Sequence, residues 1–98
     1  MYTMIMAVIR HEYLDTMVTA LKKKKIPFTF GEVKGFGKET HLYAGDIHNR
    51  IRLEIVIDEK DAETVTRAIL EHVPKAATGS GILVRYHLEE FIDFSRIS

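Results

Sequence analysis

Residues 51–57 alternate without a fault, with Ile51, Leu53, Ile55 and Ile57 on one side and Arg52, Glu54 and Val56 on the other. A period of two puts one apolar and one mixed face on a strand, and a helix cannot satisfy it. The period then changes at once. Asp58 stands where a helix cap belongs, Glu59, Asp61 and Glu63 gather near the positive helix end, and Ala62, Val65, Ile69 and Val73 form a stripe that stops before Pro74. A strand with one face to bury, followed directly by an amphipathic helix, restricts the chain to architectures in which helices lie on a sheet.

The same pair of signals occurs earlier. Residues 4–9 are a continuous apolar run that reads as a strand buried on both faces, and Leu14, Met17, Val18 and Leu21 follow at helical spacing. Lys22, Lys23, Lys24 and Lys25 close that helix, where cations meet the negative end of its dipole. Pro27 ends it, and Phe28 and Phe30 alternate with Thr29 as a strand should until Gly31 interrupts the parity, which predicts a bulge or a close backbone approach. Beyond the second helix, residues 76–81 form a loop of small residues, residues 82–86 a last strand, and residues 88–92 a single helical turn. The order strand, helix, strand, strand, helix, strand predicts one α+β domain over residues 1–98. Its plan is ferredoxin-like (split βαβ), a four-stranded antiparallel sheet with two helices on one face. The other face, carrying Glu54 and Val56, is left uncovered and predicts a homo-oligomer.

Composition excludes several functions. Fourteen basic residues balance fourteen acidic ones among 98, so no global field holds nucleic acid or a membrane, and any polyanion contact has to be local. Nucleic acid is therefore not an expected partner. The chain has no cysteine, which removes disulfides, thiolate metal sites and thiol catalysis. With no signal core or span among its apolar runs, the expected location is cytoplasmic. No nucleophile elbow, Walker loop or His-Glu-x-x-His motif is present, and Glu89 and Glu90 are adjacent rather than paired across a cleft, so no enzyme is expected.

The chemistry that remains lies in the connection between the second and third strands, residues 35–49, far longer than an ordinary hairpin loop. Gly35, Phe36 and Gly37 at its base let backbone N–H groups approach an anion, and Lys38 and Arg50 at its ends supply charge. The second loop, with Gly79 and Gly81, is placed to reach the same ligand, from this copy or another. The alternative is that these glycines serve only turns that need positive φ. His41, Asp46 and His48 in the long connection form a second candidate set, for a divalent cation such as nickel, copper or zinc, unless they are simply solvated.

Ile-Arg-His-Glu-Tyr-Leu after the first strand, Glu32-Val-Lys-Gly-Phe-Gly37, Leu42-Tyr-Ala-Gly45, Arg50-Ile-Arg-Leu-Glu-Ile-Val56 and Thr78-Gly together resemble the PII signal-transduction family, in the right order over nearly the whole chain. The resemblance implies a ferredoxin-like homotrimer that binds adenine nucleotides between subunits and regulates a target protein, often a membrane transporter, through a protruding T-loop. Residues 35–49 look like that loop. Thr29, Gly35, Gly37, Arg50, Glu54 and Val56 fall on positions lining the nucleotide cleft, and Gly79 on the B-loop.

Several departures bear on ligand choice. Lys38 replaces the family's arginine, losing the planar fork that grips phosphate. Glu39 replaces a glutamine and sets a carboxylate against a dianionic ligand, so 2-oxoglutarate is not expected. The T-loop lacks the stretch with the modifiable tyrosine, and the B-loop lacks its phosphate-binding lysine. Two arginines near the C-terminus fall on Asp93 and Ser95, with Arg96 one step away. Fewer cations predict either ADP or AMP in preference to ATP or the loss of nucleotide altogether. A metal-responsive protein of the same fold is the alternative.

Overall fold

A computed structural model describes residues 1–36, 47–74 and 81–97. Strand β1, Tyr2–Ile9, buries Thr3, Ile5, Ala7 and Ile9 and leaves Met4, Met6 and Val8 half-buried on its other side. A short turn, His11–Tyr13, feeds helix α1, Leu14–Lys23, whose Met17 and Leu21 are fully buried with Leu14 packed beside them. The helix stops in a six-residue C-cap. The Ile26 amide donates to the Leu21 carbonyl and the Lys25 amide to the Lys22 carbonyl, both at 3.0 Å, with Lys25 at φ +58°.

Strand β2, Thr29–Gly35, runs antiparallel to β3, His48–Asp58, in an unbroken register from Thr29 opposite Glu54 to Gly35 opposite His48. The expected bulge at Gly31 is absent: Gly31 sits squarely opposite Arg52. The parity break in the sequence has another cause. β2 is an edge strand whose residues are exposed apart from half-buried Val33, so its side chains need not alternate. β3 also begins earlier than its alternation indicated, because the backbone ladder continues through Asn49 and Arg50 whatever their polarity.

At the other end of β3, the Asp58 carboxylate accepts from the Lys60 amide at 3.1 Å and caps a short turn, Glu59–Asp61, which leads into α2, Ala62–Leu70. Ala62, Val65, Ala68 and Ile69 are buried, and Val73 packs against the core just past the helix. Strand β4, Gly81–His87, pairs with β1. The helical turn expected at residues 88–92 is not formed. The Leu88 amide is committed to the Tyr2 carbonyl at 2.9 Å and the Phe91 ring lies 4.4 Å from that of Tyr2, so the chain stays alongside the sheet and turns only at Phe94–Arg96.

The sheet order is β2-β3-β1-β4, antiparallel throughout, the ferredoxin-like α+β fold. Residues 48–50 of β3 pair with β2 alone, 51–54 with both neighbours, and 55–58 with β1 alone. The core lies between the helices and the odd-numbered residues of β1 and β3. Met4, Met6 and Val8 share the opposite face with Val56, Ile82, Val84 and Tyr86, and the last three are 61%, 39% and 47% exposed, so no described element covers them. No described helix is long and apolar enough to cross a membrane.

Candidate functional site

Because side chains directly opposite one another in a ladder share a face, the register gathers most of the predicted site. Thr29 faces Glu54, Gly31 faces Arg52, Val33 faces Arg50 and Gly35 faces His48, all on the open side of the sheet, with Val56 one step further along β3 opposite Met4. The open side therefore has two halves. β1 and β4 make it apolar, and β2 and β3 make it charged.

Arg52 is the residue that the sequence reading left out of its candidates. Its guanidinium donates to Glu54 Oε2 at 3.4 Å, a contact that is nearly half exposed on the arginine side. Arg50 Nη1 donates to the Asn49 carbonyl at 3.0 Å. Two guanidinium groups and a carboxylate thus stand at alternate positions of one strand, and the spacing Arg50, Arg52, Glu54 in the sequence was the available signal. Opposite them, a Cβ built on Gly31 or Gly35 meets nothing within 4 Å among the described residues, so packing against those residues does not demand a glycine at either place. Gly31 thus places no side chain beside Arg52, whereas His48, opposite Gly35, is already buried.

Phe36, directly after β2, is 70% exposed. His48 is not in a solvated loop as expected; it is the first residue of β3 and is buried. Gly37, Lys38, His41, Asp46 and Gly79 lie outside the described residues. Among the described residues no three His, Asp or Glu side chains are grouped to hold a metal ion.

Gly81 stands on the far edge of the sheet, in β4, roughly 14 Å from β2 at ordinary strand spacing. Its φ is +134°, and an added Cβ would collide with the Val8 carbonyl oxygen. Close approach of β4 to β1 explains this glycine without a ligand. Near the C-terminus, Asp93 accepts from the Ser95 hydroxyl at 2.7 Å and from its amide at 3.0 Å, which holds its carboxyl below the ordinary range. Arg96 remains 4.0 Å from Asp93 with its side chain 86% exposed.

Fold and site together define a ferredoxin-like domain that displays a charged sheet edge next to a long hairpin connection. The sequence pattern of the family described as nitrogen regulatory protein P-II matches residues 2–94. A nitrogen regulatory protein P-II 1 of Methanothermobacter thermautotrophicus is 31% identical over 95% of this chain and 86% of its own length. A nitrogen regulatory protein P-II of Rhizobium meliloti is 31% identical over 90% and 87% respectively, and one of Haemophilus influenzae 32% identical over 65% and 64%. The chain belongs to the nitrogen regulatory protein P-II family, and is by that membership a regulatory signalling protein.

Proposed function

We propose that the chain works as a homotrimer that takes an adenine nucleotide between its copies, ADP or AMP more readily than ATP. The connection from β2 to β3 then carries the ligand's state to a target protein, with a membrane transporter as the target class. One observation carries this reading: the register sets Thr29, Arg50, Arg52, Glu54 and Val56 on one half of the open face, on the two strands that also bear the ends of the connection. The arginines offer cations to phosphate, Glu54 offers an acceptor to a ribose hydroxyl or a base amino group, and Val56 beside Met4 offers apolar surface to the ring. Gly31 puts no side chain beside Arg52, which leaves room there for such a ligand. The preference for fewer phosphates rests on Lys38 and on the shortened second loop, whose lysine is missing.

A thermal-shift panel on chelator-treated protein tests it, with ATP, ADP, AMP and cyclic AMP in some wells and Ni²⁺, Cu²⁺ or Zn²⁺ in others. ADP or AMP at a hundred times its Kd adds about 2.7 kcal/mol, a rise of roughly ten degrees or more. Arg52→Ala weakens nucleotide binding about tenfold. Stabilisation by metal alone replaces this reading with the metal-responsive one, and a silent panel overturns both.

A further inference from the structure

The C-terminal turn of α1 carries more positive charge than its helix needs. Lys22 and Lys23 sit in the last turn, where the helix dipole accounts for them, but Lys24 and Lys25 follow it. The terminal carbonyls do not require their ammonium groups either, since those of Ala20, Leu21 and Lys22 already accept from the amides of Lys24, Ile26 and Lys25. Lys25 also occupies the left-handed position, φ +58°, at which helices ordinarily end in glycine. A lysine stands there against its backbone preference.

All four lysines are exposed, and none is within ion-pair distance of a carboxylate among the described residues. No acid stands between Asp15 and Glu32 in the chain. A few residues further on, the Phe28 and Phe30 rings stack at 6.1 Å, and Phe30, on edge strand β2, is 50% exposed. In a chain of zero net charge this is a local cationic patch, and an exposed aromatic ring follows it closely in the chain.

We propose that the turn of Lys22 to Lys25, with Phe30, is a docking surface for an anionic phospholipid membrane. Lys22 and Lys23 are separated by about 100° around the helix axis and Lys24 and Lys25 continue past its last turn, so the four crown the end of α1 rather than line a groove. A rigid strand of nucleic acid meets only part of such a cap, whereas mobile lipid head groups rearrange to meet all of it. Lysine suits this, because it acts as a point charge without the planar fork that selects one phosphate. Phe30 adds a ring that can enter the head-group layer. The patch belongs to α1 and edge strand β2, whereas the apolar half of the open face belongs to β1 and β4, so covering that half leaves the lysines free.

Flotation of the full chain with vesicles tests the proposal, using phosphatidylcholine alone and phosphatidylcholine containing phosphatidylserine. Binding is expected only to the anionic vesicles and is expected to fall as salt rises. Each lysine contributes about fivefold to partitioning, so Lys23→Gln with Lys24→Gln lowers it roughly twenty-five-fold. Lys25→Gly separates function from packing: partitioning falls about fivefold while the melting temperature rises, and a rise with unchanged partitioning overturns the proposal. So do equal binding to both vesicles, no binding to either, or tighter binding to a single-stranded oligonucleotide at the same ionic strength.

Discussion

Gly81 shows how one missing Cβ fixes the placement of a whole strand. Its φ of +134° is open to few residues, and the Val8 carbonyl oxygen occupies the place a side chain would take. Gly81→Ala therefore strains the backbone and pushes β4 from β1, and is expected to cost about 2–4 kcal/mol in urea denaturation. A change below about 0.5 kcal/mol, the range of an ordinary surface substitution, removes the argument. In the sequence this glycine looked like part of a ligand loop. Local pattern cannot separate a glycine needed by a neighbouring strand from one needed by a ligand, because that neighbour, β1, comes from the other end of the chain. Arg52 was legible in position but not in meaning, since a charged residue on an alternating strand reads first as a solvated face.

Between elements, the clearest polar tie is from α2 to β4. The Glu63 carboxylate accepts from Arg85 at 2.9 Å and from Arg67, one turn along its own helix, at 3.3 Å. The hydrogen bond from Arg85, then that from Arg67, lowers its pKa from the ordinary 4.5. A carboxyl whose folded pKa is depressed contributes stability that is complete above the unfolded value and is lost as pH falls through the folded one. Glu63→Gln is thus expected to be destabilising at neutral pH, with the gap to the parent closing in acid; denaturation midpoints at both pH values check it, and a gap independent of pH refutes it. The two helices were legible because their stripes at Met17, Leu21, Val65 and Ile69 match the buried residues. The Glu63–Arg85 contact was not, because the register of β4 is set by pairing with β1 and not by its own sequence. The same limit hid the start of β3 at His48 and the extended course of residues 88–92.

At the scale of the molecule, the open face is the surface on which the proposed association rests. Ile82, Val84 and Tyr86 are exposed next to half-buried Met4, Met6 and Val8, an apolar surface of the kind that assembly covers. Val84→Asp leaves the core untouched and places a charge in the middle of that surface. The variant is expected to stay folded and to run as a monomer in light scattering, with dissociation moved to at least about a hundredfold higher concentration. An unchanged mass excludes this face as the interface. The uncovered face was legible from the order of strands and helices alone. The number of copies was not, since a surface that needs cover does not specify how many chains supply it.

β3 is held unevenly along its length, by two neighbours in the middle and by β2 alone over residues 48–50. The last three rungs beside the long connection therefore form a two-stranded ribbon projecting roughly 10 Å past the end of β1. Two-stranded ribbons twist more than wider sheets and resist torsion less. The ribbon is a lever arm with a compliant root, and that root is the rung where Val33 meets Arg50. Whatever presses on Arg50 acts at the fulcrum, and a few degrees of torsion there re-aim the strand ends at Gly35 and His48.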